Sequence, residues 1–437
     1  MSGESTTVTF SSDLEPQIRS FDLESDVTAD IPENVRLLLA RNRLLADLWS
    51  TAVTCFAVDQ SLKRPHARAW RQGEEWARRI RVQVPVQDPR WWAEHADLVE
   101  RLLSWLTADH WSLGFHQDPR PHPPESKPLI DPEVTVALFS GGLDSACGVI
   151  QEAKTGKGPF RLVSVSTNSR MKNLQQRVID QMNASRPVFG FSSFRLQLHV
   201  PTRESTARTR GFVFLTAGVA TAIAEGLREL RLYENGPGAL NLALSHGQVG
   251  AQAARAVHPK TLVYMEALAS AVLGGDHFAI VNPCFAMTKA EMVTKAFDGY
   301  KPVLKATISC DTGFSHHGSP QGVSHPHCGG CTSCVLRRQA LAAAGAGITT
   351  PLRGTPQRKA EHRDLMAWQV ARLRHAMREG LSWKRMVREF PDLVCDPGSF
   401  LPERRGELLK LFSRYAAEWD LPAVAAEFDV QESEPLL

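Results

Sequence analysis

A serine- and glycine-rich segment at residues 140–145 carries the clearest chemistry in this 437-residue sequence. It follows an apolar run that predicts a buried strand, and it precedes a pattern that predicts a helix. Its residues are Ser140, Gly141, Gly142, Leu143, Asp144 and Ser145. Glycines let the backbone turn sharply and approach a ligand, and a helix N-terminus offers unpaired N–H groups. We therefore expect this loop and its two hydroxyls to bind an anion such as a phosphate.

The common nucleotide-binding loops do not account for this segment. Neither a GxxxxGK[ST] pattern nor a GxGxxG pattern occurs in the sequence, which argues against a Walker loop and a dinucleotide fold. A simpler interpretation is a glycine turn in which Asp144 only begins the helix.

Four of the eight cysteines lie close together near residue 320 and predict a metal site. They are Cys310, Cys328, Cys331 and Cys334. Structural zinc takes four such ligands in a tetrahedron, and the clustering favours metal binding in a reducing compartment over a disulfide framework. An iron–sulfur cluster is the alternative metal centre. One of the neighbouring histidines could also replace a cysteine, although we expect solvated loop residues at His316, His317, His325 and His327.

Alternating strand and helix patterns place the loop in an α/β domain over residues 131–345. Strands are predicted at residues 134–139, 161–165, 194–200, 230–233 and 278–281, with helical patterns between them. Such repetition indicates a parallel sheet with helices on both faces. Ligands bind to such a sheet at the carboxyl ends of its strands, which is where the loop lies.

The sequence on either side of the α/β domain predicts an N-terminal domain, a linker and a C-terminal region. Residues 1–116 indicate an N-terminal α+β accessory domain, with a loosely ordered start at 1–31 and one long helix near 35–56. Residues 117–130 contain five prolines and indicate a linker. Residues 346–437 predict a helical C-terminal region.

The 131–345 stretch resembles the 7-cyano-7-deazaguanine synthase (QueC) family of PP-loop ATP pyrophosphatases. SGGLDS matches the family's phosphate loop, and TNSR, ARTRGFVFLTAG, TKAE and the cysteine element follow in the family's order. The resemblance implies a Rossmann-like PP-loop domain, ATP as co-substrate, Mg²⁺ and a structural zinc. The extra flanks are similar to the longer members found in bacterial anti-phage gene clusters of the Qat or type IV CBASS kind.

The resemblance also assigns roles to individual residues. The catalytic candidates are Asp144, Lys289 and Arg210. The candidates for phosphate contacts, beyond residues 140–145, are Asn168, Arg170 and Arg337. The 234–250 segment departs from the family, so Glu234 and Asn235 are candidates for a purine-like substrate edge, with a plain turn at 235–236 as the simpler interpretation. Thr288 and Glu291 also fit a helix capping box, which leaves Lys289 unexplained by capping.

The reaction implied by the resemblance is adenylation of the carboxylate of 7-carboxy-7-deazaguanine. ATP gives pyrophosphate and AMP, and a nitrogen nucleophile then displaces the AMP. Ammonia leads to the nitrile, whereas a protein amine gives a deazaguanine–protein conjugate. Two other interpretations stay open. They are a PP-loop tRNA sulfurtransferase using Cys147 or Cys284, and a nucleotide-binding, non-catalytic subunit of a defence complex.

The nearly balanced charge of the sequence gives little reason to expect nucleic acid or a membrane surface as a partner. Fifty lysines and arginines against 47 acidic residues give a net charge of only +3, which carries no strong signal for nucleic acid or a membrane surface. The polar, acidic N-terminus is unlike a signal peptide. We expect a cytoplasmic enzyme with a small deazapurine substrate and either a protein acceptor or defence-complex partners.

Overall fold

Two β-sheets organise the computed structural model. It describes residues 6–64, 77–121, 133–204, 206–244, 255–310, 327–329, 331–350, 357–378, 380–393 and 403–428. The first sheet has four strands in the order β2-β1-β4-β5. They are β1 (Thr7–Ser12), β2 (Arg19–Asp22), β4 (Arg79–Val86) and β5 (His110–Gln117). β1 is antiparallel to β2 and β4, and β4 is parallel to β5.

The second sheet has six strands in the order β10-β9-β6-β7-β8-β3. They are β3 (Val27–Asp30), β6 (Thr135–Leu138), β7 (Phe160–Ser166), β8 (Phe189–Leu198), β9 (Glu229–Arg231) and β10 (Ala279–Val281). All neighbours pair in parallel except β3, which is antiparallel to β8 at the edge. The strand order reverses beside β6, and ligands of such sheets bind at this reversal. The glycine loop follows β6 directly.

Helices cover both faces of the six-stranded sheet. Alternate residues of β6 face opposite cores, with Val136 in one hydrophobic cluster and Ala137 in the other, as in a parallel sheet buried on both sides. The helices are α1 (Glu33–Leu39), α2 (Arg43–Ser61), α3 (Pro89–Thr107), α4 (Leu143–Lys154), α5 (Ser169–Ser185), α6 (Arg210–Ala224), α7 (Gly236–Leu240), α8 (Pro259–Val272), α9 (Lys289–Phe297), α10 (Lys301–Ala306), α11 (Thr332–Ala343), α12 (Gln357–Met377), α13 (Trp383–Glu389), α14 (Arg405–Glu418) and α15 (Pro422–Phe428). No helix within the described ranges is long and apolar enough to cross a lipid bilayer.

The N-terminal region differs from the accessory domain that the sequence predicts. One hydrophobic cluster runs from Val8 to Ile280 and includes residues of both sheets. The start of the chain, expected to be loosely ordered, supplies β3 to the six-stranded sheet. The expected single helix is divided because the Asn42 side chain accepts a hydrogen bond from the Leu45 N–H at 3.0 Å and caps a new helix, α2.

The structure describes only part of the predicted linker, whereas it describes helices in the predicted C-terminal region. Gln117 is the last residue of β5, and residues 122–130 of the predicted linker lie outside the described residues. The C-terminal region is helical as predicted, with α12 to α15 after residue 356. Its helices pack against the sheet domain, because Phe412 shares a hydrophobic cluster with Leu240 and Phe285.

Candidate active site and metal centre

The glycine loop forms a tight turn between β6 and α4. Gly141 has a φ of 78°, in the left-handed region that favours glycine. The turn is held from two sides: the Ile308 N–H donates to the Gly141 carbonyl at 2.9 Å, and the Gln175 amide donates to the Ser140 carbonyl at 3.3 Å. The loop conformation is therefore fixed by residues distant in sequence.

The two loop serines lie side by side at the start of α4. Their hydroxyl oxygens are 3.1 Å apart, and the Ser140 oxygen accepts a hydrogen bond from the Gly142 N–H at 3.2 Å. Gly142 is the N-cap of α4, and its cap has no side-chain partner. The arrangement provides hydroxyl and N–H donors at one helix N-terminus, the combination that binds phosphate in proteins.

A chain of polar contacts connects the loop to two other segments. The Lys289 ammonium forms an ion pair with the Asp144 carboxylate. The Asn235 amide donates to Asp144 at 3.1 Å and to Glu234 at 2.7 Å. The Asn235 oxygen accepts from the Gly238 N–H at 2.9 Å and caps α7. In place of the plain turn expected at 235–236, a short helix begins at Gly236, and its cap Asn235 also directs an amide toward the loop.

Burial and neighbouring charges shift the pKa values of Glu234 and Lys289. Burial raises the pKa of Glu234 to about 8, and the nearby Asp144 carboxylate adds to that rise. Burial alone lowers the pKa of Lys289, but the Asp144 and Glu234 carboxylates more than offset this effect, so its pKa is raised. Lys289 therefore stays cationic, while Glu234 exchanges a proton near neutral pH. Perturbed pKa values of this kind concentrate at functional sites.

Lys289 is the first residue of α9, and the predicted capping box at this position is confirmed. The Thr288 hydroxyl accepts from the Glu291 N–H at 3.1 Å, and the Glu291 carboxylate accepts from the Thr288 N–H at 2.9 Å. The cap fixes the start of the helix. Because Lys289 lies in the first turn of this helix, the cap also fixes the position from which its side chain reaches Asp144.

The C-terminal helix α14 holds the same helix start from the other side. The Glu418 carboxylate accepts hydrogen bonds from the Thr288 hydroxyl and, at 3.0 Å, from the Gln339 amide. One turn earlier, Arg414 donates to Glu291 at 2.6 Å. The C-terminal region thus helps position Lys289.

This contact makes stability depend on pH in a defined direction. Burial raises the pKa of Glu418 from about 4.5 to about 7. A carboxyl with a raised folded-state pKa contributes stability that is fully present below its unfolded pKa and is lost as pH rises through the folded one. We expect wild type to lose about 3 kcal/mol more free energy of unfolding than Glu418→Gln between pH 4.5 and pH 8.

Urea unfolding at several pH values measures this difference. The matched control is Glu407→Gln, on the same helix, where the carboxylate pairs with Arg404 at the surface. The control should keep the wild-type pH slope. Parallel pH slopes for wild type and Glu418→Gln would contradict the role of Glu418.

The predicted phosphate ligands lie in two places. Asn168 caps α5 and accepts from the Met171 N–H at 2.9 Å, and the Arg210 guanidinium lies 3.3 Å from the Met171 sulfur. Burial lowers the pKa of Arg210. Asn168 and Arg170 therefore lie at the N-terminus of α5, which follows β7, and the contact with Met171 brings Arg210 to the same place. Their contacts with phosphate stay a prediction.

Arg337 lies behind the loop. Its side chain is buried, and its guanidinium donates to the Thr307 hydroxyl at 2.6 Å and to the Leu304 carbonyl at 2.8 Å. It also approaches the Ser309 hydroxyl at 3.5 Å, and that oxygen accepts from the Leu143 N–H at 3.4 Å. Arg337 thus supports the loop through Ser309, and its contact with phosphate stays a prediction.

Three residues of the site carry no signal in the sequence. Gln175 and Ser309 contact the loop as described above. His327, expected to be a solvated loop residue, is buried and accepts from the Ser309 N–H at 3.3 Å. Only the folded chain brings these residues to the loop, so no local pattern marks them.

The four predicted cysteine ligands converge. All four sulfur atoms lie within 4.8 Å of one another. Two of the separations are 4.0 Å, between Cys328 and Cys334, and 3.9 Å, between Cys310 and Cys331. Zinc–sulfur bonds of about 2.3 Å in a tetrahedron place the sulfurs about 3.8 Å apart, so the group fits a metal ion such as zinc. His316, His317 and His325 lie outside the described residues.

The metal centre and the glycine loop are adjacent. Cys310 follows Ile308 and Ser309, the two residues that bond the loop backbone. The same short segment therefore carries a metal ligand at one end and two loop contacts at the other.

Comparisons with known proteins match part of this chain. A family profile described as "Queuosine biosynthesis protein QueC" matches residues 258–345, which include Lys289 and the four cysteines. The 7-cyano-7-deazaguanine synthase of Rhizobium johnstonii is 35% identical over 123 residues, covering 24% of this chain and 48% of that protein. That of Brucella anthropi is 35% identical over 126 residues, with the same coverage.

A third synthase, from Rhizobium etli, is 30% identical over 159 residues, covering 32% of this chain and 58% of that protein. The chain thus spans about half the length of the curated relatives that it matches. The resemblance to the 7-cyano-7-deazaguanine synthases is confirmed over this part of the chain.

Proposed function

We propose that this protein is an ATP-dependent ligase that adenylates the carboxylate of 7-carboxy-7-deazaguanine. The observation that carries the proposal is the ion pair between Lys289 and Asp144. It joins the family-matched segment to a glycine loop at the point where the strand order reverses. This is where an open α/β sheet binds a nucleotide.

In the first step a carboxylate oxygen of the acid attacks the α-phosphorus of ATP. The bond from that phosphorus to the bridging oxygen breaks, and pyrophosphate leaves. The serine hydroxyls and N–H groups of the loop hold the phosphates, and Lys289 offsets the charge that builds on them. Asp144 would hold the magnesium ion that accompanies ATP, and that ion would neutralise phosphate charge.

In the second step a nitrogen nucleophile attacks the acyl carbon, and AMP leaves. The nitrogen must lose a proton, and Glu234 would accept it. A base acts best when its pKa lies near the working pH, and burial raises the pKa of Glu234 to about 8. Ammonia gives the amide. Adenylation of the amide oxygen by a second ATP, with release of pyrophosphate, would then let that oxygen leave as part of AMP and give the nitrile, 7-cyano-7-deazaguanine. A protein amine instead gives a deazaguanine–protein conjugate, the product that fits a role in anti-phage defence.

The sulfurtransferase alternative is less well supported. It needs a reactive thiolate, and such cysteines are partly exposed with a lowered pKa. Cys147 and Cys284 are both buried. Burial raises the pKa of Cys284 to about 12 and raises that of Cys147 as well. Neither thiol is suited to nucleophilic attack.

Pyrophosphate release from ATP tests the proposal. We expect release by wild type to rise at least tenfold when 7-carboxy-7-deazaguanine is added, and Asp144→Asn to lose this response. Asp298→Asn, an exposed acid at the other end of α9, is the control and should keep the response. ATP binding without acid-dependent release would contradict the proposal and favour a nucleotide-binding subunit.

Mass spectrometry of the product identifies the nucleophile. With ammonia present, a nitrile or amide of the base identifies the synthase reaction. With candidate partner proteins present, a deazaguanine adduct on an intact protein identifies the conjugation reaction. If an active enzyme gives the nitrile and never an adduct, the conjugation version is excluded.

A further inference from the structure

A buried aspartate of the N-terminal region holds the start of α6, the helix that begins with Arg210. The Asp59 side chain lies on α2 and is fully buried, and one of its carboxylate oxygens pairs with the Arg78 guanidinium. The other oxygen accepts from Thr209, at 2.9 Å from the hydroxyl and at 3.3 Å from the backbone N–H. Thr209 is the N-cap of α6, and its own side chain makes no cap hydrogen bond. The carboxylate therefore satisfies donors at this helix N-terminus, where negative charge is favoured.

The backbone before Arg210 is held by the same part of the N-terminal region. The Gln60 side-chain amide donates to the Thr206 carbonyl at 2.7 Å, and the Gln60 carbonyl accepts from the Glu204 N–H at 3.0 Å. The Glu204 carboxylate in turn accepts from the Arg64 N–H at 2.9 Å. The chain that leads into α6 is therefore fixed at several points against the C-terminal end of α2 and the residues after it.

The Arg210 side chain reaches the helix that contacts the glycine loop. Its guanidinium lies 3.3 Å from the Met171 sulfur. Met171 and Gln175 lie one turn apart on α5 and share one face of that helix. Gln175 is the residue whose amide donates to the Ser140 carbonyl. The guanidinium is thus about one helical turn, roughly 5–6 Å along α5, from a direct contact with the loop.

Arg210 has no acidic partner within the described ranges. Burial is the sole cause that lowers its pKa, and no neighbouring carboxylate offsets that effect. A cation that has lost part of its hydration is stabilised by an anion, and the planar guanidinium binds phosphate through two directed N–H groups. The side chain is therefore suited to bind an anion that enters beside the loop.

We propose that Asp59, acting through Thr209, is a positioning residue that directs Arg210 toward the phosphates of ATP. The inference rests on the proposed function, because it takes ATP as the ligand of the glycine loop. Directed N–H groups lose much of their effect when they are displaced by a fraction of an ångström, so the backbone under Arg210 must be fixed. The N-terminal region is then part of the ATP site, although it lies outside the segment that matches the QueC profile.

Substitutions of two threonines in and beside α6 test the inference through the Kd of ATP, measured by calorimetry without the acid. Thr209→Val removes the hydroxyl that bonds Asp59 and keeps the shape of the side chain, and we expect it to raise the Kd about tenfold. Thr209→Ser keeps the hydroxyl and should stay within twofold of wild type. The matched control is Thr216→Val. Thr216 is also buried, and its hydroxyl has no partner in the part of the chain that the structure describes, so the Kd should not change.

A double-mutant cycle separates positioning from a general effect on structure. Arg210→Ala alone should raise the Kd of ATP at least tenfold. Adding Thr209→Val to Arg210→Ala should raise it no further, because no guanidinium remains to be positioned. A thermal melt of each variant checks the fold, and Thr209→Ala replaces Thr209→Val if the latter unfolds.

The outcomes distinguish the inference from the proposed function. Additive losses in the double variant, an unchanged Kd in Arg210→Ala, or equal Kd values in Thr209→Val and Thr216→Val overturn the positioning role. The proposed function then stands if wild type still releases pyrophosphate in response to 7-carboxy-7-deazaguanine. If the cycle gives the expected result but wild type shows no such release, the positioning role stands and the proposed function fails. A wild-type protein that binds no ATP contradicts both.

Discussion

Replacement of Lys289 by alanine is expected to lower the single-turnover rate of acid-dependent pyrophosphate release about a thousandfold. Removing one preorganised charge from a water-poor site typically costs a factor of a hundred to a thousand. Lys289 is the partner of Asp144 in an ion pair whose side chains are only 13% and 12% exposed. Its loss also leaves Asp144 and Glu234 as neighbouring carboxylates without a cation. The KM of ATP should change far less than the rate, because the loop still binds the phosphates.

The same helix provides the control for this experiment. Lys295 is exposed at the far end of α9, where its ammonium contacts the Met287 sulfur at 3.8 Å. Lys295→Ala should release pyrophosphate at the wild-type rate. A loss of less than tenfold in Lys289→Ala would remove Lys289 from the mechanism and leave it a structural partner of Asp144.

Replacement of Cys334 by serine is expected to release the metal and to lower the Tm by about 10 °C or more. The binding free energy of a structural metal is folding free energy, because the unfolded chain has no preformed site. Cys334 is fully buried within the four-cysteine group. A loss of about 3–5 kcal/mol corresponds to a fall of this size, at roughly 2–4 °C per kcal/mol. Zinc content per chain and calorimetric melting measure the two effects.

Cys284→Ser is the matched control, since Cys284 is buried but lies outside the group. It should keep one zinc per chain and lose only a few degrees. If the purified protein contains iron and is brown, the four cysteines bind an iron–sulfur cluster and not zinc. A full zinc content in Cys334→Ser would show that this cysteine is not a ligand.

The parts of the fold that the sequence predicts are those with short-range causes. The five parallel strands follow from apolar runs, the loop from two adjacent glycines, and the capping box from Thr288 and Glu291. The cysteine group follows from spacing, because Cys328, Cys331 and Cys334 lie within seven residues. Each of these patterns depends on neighbours along the chain, so a single sequence contains all the information needed.

The features that the sequence does not predict depend on contacts between distant segments. β3 is short, and its assignment depends on the open edge of β8. The supporting position of Arg337 depends on the hydroxyls of Thr307 and Ser309, which lie 30 and 28 residues away along the chain. His327 is buried only because the chain returns it to Ser309. Nothing in the local pattern around these residues separates them from surface positions.

The edge pairing of β3 has a consequence for the order in which the chain folds. Its register sets Val27 opposite Leu198, and the segment between them contains two strands of each sheet, β4 and β5 of one and β6 and β7 of the other. Such a pairing forms late, because closing a long loop costs entropy before any contact repays it. On the ribosome, β3 emerges well before β8 and waits for its partner until β8 has been synthesised. The edge of the six-stranded sheet is therefore closed only after most of the strands of that sheet exist.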